Sequence, residues 1–166
     1  MSNRRTFAVL GVSEINSIFL AKQIAKTNPV LLFDRDVVVL NIVYSQILSE
    51  YPNANAEMMI CPNNASWEAD VIILSNAAAT DGNLIEKIRN VATGKIVLFL
   101  ENKKNTNTSG NSAEKWQDLF PYSKVVQSFE SADESNDSFF LNGNDKQAVK
   151  TILTLLTSIG LKADIL

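Results

Sequence analysis

The sequence contains no histidine, and this absence excludes several classes of active site. A Ser-His-Asp triad, a Cys-His nucleophile pair and a histidine-ligated zinc or iron centre all need an imidazole. Cysteine occurs once, at Cys61, so an intrachain disulfide is excluded and a thiolate metal cluster is not expected. A lone cysteine beside an apolar strand is typical of a small buried hydrophobic residue. We therefore expect no metal site.

Basic residues and long apolar runs are also scarce. Lys and Arg number 15 against 18 Asp and Glu, a formal net charge of −3. Proteins that coat nucleic acid carry clustered Lys and Arg instead. No run approaches the ~20 apolar residues of a membrane helix, and the N-terminal residues lack the apolar core of a signal peptide. We expect a cytoplasmic protein that binds neither nucleic acid nor membrane.

The remaining composition is typical of an ordinary globular domain. The 166 residues are 46% hydrophobic and 20% charged, which suits a single apolar core. Two polar stretches, at 101–112 and 130–137, have the composition of surface loops, and neither resembles an interdomain linker. The sequence therefore predicts one domain over residues 1–166.

Apolar periodicity predicts alternating strands and helices. Short apolar runs typical of strands occur at 6–10, 30–33, 57–60, 71–74, 96–100, 125–126, 138–142 and 161–165. Apolar residues at helical spacing occur at 13–28, 37–50, 81–94, 113–120 and 148–159, and Asp81 is an expected cap of the third of these helices. Residues 66–69 have no clear periodicity and are interpreted as a brief connector. The alternation indicates an α/β fold, with a mostly parallel sheet and helices on both faces.

The turn after the first strand is the first place to look for a ligand in such a fold. Its six residues are Gly11, Val12, Ser13, Glu14, Ile15 and Asn16. The dinucleotide fingerprint has glycine at the first, third and sixth positions, and here Ser13 and Asn16 replace the second and third glycines. The turn opens a helix, with Ser13 as the expected N-cap, so free N–H groups face the crevice. The Ser13 hydroxyl can donate to a phosphate, whereas the Glu14 carboxylate adds a negative charge nearby.

The second strand ends at Asp34, followed by Arg35. An acidic residue at this place accepts hydrogen bonds from the adenosine ribose hydroxyls of a dinucleotide. The Asp34 carboxylate would repel a 2′-phosphate and so favours NAD, while Arg35 leaves NADP open. The plainer interpretation is that Gly11 and Asp34 are only a turn residue and a cap residue.

Polar residues also follow two later strands. Ser75 and Asn76 come after the fourth strand, where they can hydrogen-bond a nicotinamide or a ribose, and Asn102 comes after the fifth. A role in turns is equally consistent with these positions. Glu101 and Glu130 are candidate acids or bases, but the sequence places no second carboxylate beside either. The catalytic residues are therefore left unassigned.

Taken together, these segments resemble the coenzyme F420-dependent NADP oxidoreductase family. The resemblance is carried by residues 11–25, 33–36, 69–76, 94–102, 124–129 and 141–148. It implies a Rossmann-type NAD(P)-binding fold and hydride transfer between a nicotinamide and a deazaflavin or flavin-like acceptor. It also implies that the turn at 11–16 holds the pyrophosphate, that Asp34 and Arg35 contact the adenosine half, and that the nicotinamide end is lined by Ser75, Asn76 and Asn102.

Two other hypotheses stay open. A Rossmann-like sensor, scaffold or dimerisation module without catalysis would also lack the fingerprint glycines. A nucleotide- or methyl-donor-binding enzyme could use the same crevice. The helix at 37–48 is apolar on more than one side, which indicates either a partner surface, such as that of a homodimer, or a helix buried on both sides.

Overall fold

Eight strands form one sheet in the computed structural model, which describes residues 4–101, 112–130 and 138–166. The strands are β1 Phe7–Leu10, β2 Val30–Phe33, β3 Ala56–Met58, β4 Val71–Leu74, β5 Ile96–Glu101, β6 Lys124–Glu130, β7 Ser138–Gly143 and β8 Lys162–Ile165. Their order across the sheet is β3-β2-β1-β4-β5-β6-β7-β8. Strands β1 to β6 are parallel, β7 is antiparallel to β6, and β8 is parallel to β7.

The structure describes seven helices, and four of them begin at a short polar side chain that caps the first turn. The seven helices are α1 Ile15–Ala25, α2 Val37–Glu50, α3 Pro62–Glu68, α4 Asn76–Ala79, α5 Gly82–Ile88, α6 Ser112–Leu119 and α7 Lys146–Ser158. The carboxylates of Asp36, Asp81 and Asp145 accept from backbone N–H groups at the starts of α2, α5 and α7. Such caps satisfy donors that have no partner within the helix. Among the described residues, no helix has the length and hydropathy needed to cross a bilayer.

Helices cover both faces of the sheet, which explains why its central strands are apolar throughout. All four residues of β1 and all four of β4 are buried. On one face, Val9 belongs to an apolar cluster with residues of α1, α2 and α7, including Ile24. On the other face, Leu10 belongs to a cluster with residues of α3, α5 and α6, including Trp116. The predicted α/β architecture with a mostly parallel sheet is confirmed.

Several local expectations are wrong. Glu14, not Ser13, is the N-cap of α1, and its side chain makes no capping hydrogen bond within that helix. Strand β3 begins at 56 and ends at 58 rather than running to 60, because its last pairing with β2 joins Met58 to Leu32. The supposed connector at 66–69 lies mostly in α3, and α4 was not expected at all. Cys61 is only partly buried, immediately before α3.

The helix at 37–50 has the predicted bounds but is not buried on both sides. Leu40, Val43 and Ile47 face the core, while Val37, Val38 and Ile42 are exposed. The exposed residues leave the partner-surface hypothesis open. Most of the predicted loops at 101–112 and 130–137 lie outside the described residues.

Candidate functional site

A cleft of about 580 Å³ opens at the carboxyl ends of β1, β2 and β4. One wall is formed by the turns that follow β1 and β2, and the other by α4 and the start of α5. Residues of the first wall include Gly11, Ser13, Asp34 and Arg35, and the second includes Asp81. Strand β1 lies between β2 and β4, so the order of the strands reverses at this point. Ligands of open α/β sheets bind in such a crevice.

Gly11 allows the two walls to approach each other closely. Its φ is +88°, a left-handed conformation that glycine adopts without strain, and its N–H donates to the Phe33 carbonyl at 2.8 Å. A Cβ at this position would lie 2.1 Å from the Ser75 Oγ and 3.2 Å from the Ala78 Cβ. Both the backbone angle and the packing therefore require glycine here.

Asp34 holds the turn in place through both of its carboxylate oxygens. Its Oδ2 accepts from the Val12 N–H at 2.8 Å, and its Oδ1 accepts from the Asp36 N–H at 2.9 Å. The residue thus joins the end of β2 to the β1–α1 turn. Each oxygen has a second lone pair, so the carboxylate can still accept from a ligand hydroxyl.

Glu14 reaches across the crevice from the β1–α1 turn to α4. Its Oε2 accepts from the Asn76 N–H and its Oε1 from the Ala77 N–H, both at 3.0 Å. Beside it, the Ser75 hydroxyl accepts from the Ala78 N–H at 3.1 Å and caps α4. The Glu14 carboxylate, which the sequence predicts to lie near a phosphate, therefore accepts two charge-assisted hydrogen bonds from the protein itself.

An ion pair spans the mouth of the cleft. The Arg35 Nη1 lies 3.1 Å from the Asp81 Oδ2, while the Asp81 Oδ1 accepts from the Leu84 N–H. The Arg35 side chain is 77% exposed, so the pair itself contributes little to stability. The sequence predicts Asp81 as a helix cap, which is confirmed, but gives no sign that it meets Arg35. A contact between residues so far apart in the chain needs the tertiary structure.

The remaining predicted residues are distributed unevenly around the cleft. Ser75 is buried in its wall. Val12 is fully buried beneath it, and Ile15 and Asn16 lie in the first turn of α1 outside the lining. Asn76 contributes its backbone N–H to Glu14. Asn102 lies outside the described residues.

Solved structures of other proteins share this architecture. A provisionally named F420-dependent NADP reductase from Arthrobacter sp. FB24 is 23% identical, with a TM-score of 0.70, over 98% of this chain and 84% of that one. An imine reductase from Myxococcus stipitatus, solved with NADP+, is 13% identical, with a TM-score of 0.70, over 97% of this chain and 54% of that one. A UDP-glucose dehydrogenase from Pyrobaculum islandicum is 12% identical, with a TM-score of 0.68, over 99% of this chain and 46% of that one. No model of a protein family matches the chain, and no curated protein does.

The chain has a Rossmann-type fold. Its first six strands follow the order β3-β2-β1-β4-β5-β6 of the dinucleotide-binding arrangement, with the cleft at the switch point. The neighbours include a protein of the kind that the sequence resembles. The chain spans about half the length of the imine reductase and of the UDP-glucose dehydrogenase.

Within this Rossmann fold, the candidate acid Glu101 is engaged in packing contacts. It is 9% exposed at the end of β5. Its Oε1 accepts from the Trp116 indole N–H at 2.6 Å and from the Gln127 amide at 2.8 Å. These contacts support a role in joining α6 and β6 to β5, and they give no evidence of acid–base chemistry.

A lysine with a perturbed pKa lies at the amino ends of the strands, opposite the cleft. Burial lowers the pKa of the Lys95 ammonium, partly offset by the nearby Asp70 carboxylate. Lys95 precedes β5 and donates to the carbonyls of Ser66 and Trp67 at the end of α3. Lys95 therefore lies at the end of the sheet away from the cleft, which opens at the carboxyl ends of the strands. Among the described residues, no group of three His, Cys, Asp or Glu side chains is arranged to hold a metal ion.

Proposed function

We propose that this protein binds a nicotinamide dinucleotide in the cleft and acts as an oxidoreductase. The observation that carries the proposal is the Gly11 turn, which packs against Ser75 at the switch point of the sheet. In the dinucleotide fingerprint, a glycine at this position allows the tight turn that places the start of the following helix at the crevice. The N–H groups in the first turn of α1 have no partners within that helix, and the positive end of its dipole favours a phosphate. The cofactor-bound neighbour supports the same ligand class.

The adenosine half would lie against Asp34 and Arg35. The Asp81 carboxylate pairs with the Arg35 guanidinium, and the Asp34 carboxylate lines the same cleft, so the local charge disfavours a 2′-phosphate. We therefore propose NAD as the preferred cofactor, with NADP as the weaker one. The nicotinamide end would be lined by Ser75, Asn76 and Asn102.

The hydride acceptor is proposed from the family resemblance alone, as a deazaflavin or flavin-like molecule. Hydride transfer between two such rings needs alignment of the rings more than a general acid or base. A site without histidine is compatible with that chemistry. The protein's part is to bind the dinucleotide and to orient its nicotinamide toward the acceptor.

Three broader proposals accompany this one. We propose that residues 1–166 form one dinucleotide-binding domain and that the protein is cytoplasmic. We also propose a homodimer, supported by the exposed apolar residues of α2, Val37, Val38 and Ile42. Single apolar residues on a surface are ordinary, but a cluster on one helix is typical of an interaction site.

The test is a separate titration with NADH and with NADPH, followed by cofactor fluorescence and by thermal unfolding. A ligand at a hundredfold excess over its dissociation constant stabilises the folded state by ~2.7 kcal/mol. We expect binding of both cofactors, tighter for NADH, and its loss in Gly11→Ala. No binding of either cofactor at millimolar concentration would contradict the proposal and favour the module without catalysis.

A further inference from the structure

The contact between Glu14 and α4 crosses the path that a bound dinucleotide would take. Strand β1 pairs with β2 on one side and with β4 on the other. The adenosine half of a dinucleotide lies toward β2, and the nicotinamide half reaches the far side of the crevice past the ends of β1 and β4. Glu14 joins the turn after β1 to the residues after β4 through the N–H groups of Asn76 and Ala77. Its carboxylate therefore stands between the two halves of the crevice.

The described cleft extends from the end of β2 to Ser75 and α4. Its lining includes Asp34 and Arg35 after β2 and reaches Ala77 in α4, but Glu14 is not part of it. The cleft thus has open space beside Asp34 and Arg35, while the Glu14 side chain joins the β1–α1 turn to the start of α4.

We propose that Glu14 is a specificity-determining gate, whose carboxylate must leave the N–H groups of Asn76 and Ala77 before the nicotinamide half can bind. This inference rests on the proposed function. With Glu14 in place, the cleft accepts a nucleotide that ends at its first phosphate, such as adenosine monophosphate. A complete dinucleotide must in addition break two charge-assisted hydrogen bonds and bring its pyrophosphate close to a carboxylate. Removing the side chain should therefore favour the dinucleotide selectively.

The experiment compares NADH with adenosine monophosphate on the wild-type chain, Glu14→Ala and Glu14→Gln. We expect Glu14→Ala to tighten NADH binding tenfold or more and to change monophosphate binding by less than twofold. Glu14→Gln should fall between them, because an amide oxygen can accept from one of the two N–H groups while the NH2 group cannot accept from the other. Glu50→Ala is the matched control, since it removes a carboxylate that pairs with Lys22 away from the cleft and should change neither affinity.

The outcomes separate the gate from simpler explanations. Equal gains for NADH and the monophosphate would show that Glu14 acts only as a repelling charge, and this would overturn the gate. An unchanged NADH affinity in Glu14→Ala would also overturn it while leaving the proposed function intact. If no variant binds either nucleotide, the proposed function fails, and the gate fails with it.

A measurement on the wild-type chain keeps the gate testable if the variants fold poorly. The amide protons of Asn76 and Ala77 should exchange slowly in the free protein and with monophosphate bound, since Glu14 accepts from both. Saturation with NADH should change their exchange rates and chemical shifts, whereas the Leu84 amide, bonded to Asp81, serves as an internal reference. Identical responses of Asn76 and Ala77 to the two nucleotides would contradict the gate.

Discussion

At Gly11, two separate requirements for glycine coincide. The left-handed φ alone disfavours any side chain, and a Cβ would in addition lie within 2.1 Å of the Ser75 Oγ. Gly160 provides a comparison, since its φ is also +88° but nothing lies within 4 Å of its Cβ position. A comparison of Gly11 with Gly160 therefore distinguishes the cost of the backbone conformation from the cost of the close contact with Ser75.

We expect Gly160→Ala to lower the free energy of unfolding by about 1–2 kcal/mol, the usual penalty of a left-handed conformation. Gly11→Ala should lower it by more, because the Ser75 wall must also shift. Urea denaturation of both variants measures the difference. Equal losses of unfolding free energy would show that Ser75 moves aside at little cost, and close packing would then not explain the glycine.

Residue roles could be predicted from the sequence only where they depend on neighbours in the chain. Gly11 at a strand-to-helix turn and Asp81 as a cap are both local features, and both predictions hold. The hydrogen bonds of Glu14 reach residues 76 and 77, on another strand end, so no local pattern reveals them. For the same reason, the sequence indicates that Asp34 lies near the crevice but not that its two oxygens already accept from Val12 and Asp36.

Between elements, the Arg35–Asp81 pair joins the turn after β2 to the start of α5. Asp81 both caps α5 and holds the guanidinium, and these roles can be separated. Asparagine retains an oxygen for the Leu84 N–H and loses the charge. Asp81→Asn therefore changes the electrostatics of the cleft mouth while keeping the helix capped.

For Asp81→Asn we expect NADPH binding to tighten several-fold and NADH binding to change little. One negative charge leaves the mouth, and Arg35 becomes available to a 2′-phosphate. Fluorescence titrations at low ionic strength measure both affinities, since salt screens exposed charges. Asp118→Asn, an exposed carboxylate on α6, is the control. A parallel change for both cofactors would mean that Asp81 does not discriminate between them.

The long helix α2 could be predicted from periodicity, whereas the short helices α3 and α4 could not. Helix α2 is 14 residues long and contains enough apolar repeats to define its bounds. Helix α4 has four residues and depends on the Ser75 cap and on Glu14, which lies in another element. Helix α3 has seven residues, and the one signal for it was Pro62 in its first turn, a position that proline favours.

Over the whole molecule, the alternation of strands and helices sufficed to predict the architecture, but it did not predict the direction of β7. Parallel strands buried on both faces have continuous apolar runs, such as that of β4, and helices must then cover both sides. Strand β7 is also apolar in places, yet it is antiparallel to β6. Its direction is seen only in its pairing with β6, which composition does not specify.

The exposed side of α2 leads to the last prediction, on assembly. Val38 is 68% exposed and Val37 and Ile42 are more than half exposed, although α2 also packs its opposite side on the core. A symmetric dimer would place the same residue near its own copy, so a charge at Val38 would bring two like charges together. We expect a dimer by sedimentation and a monomer for Val38→Asp. Tyr122→Asp, which adds a charge at an equally exposed apolar residue before β6, should leave the dimer intact, and a monomeric wild-type chain at high concentration would rule the interface out.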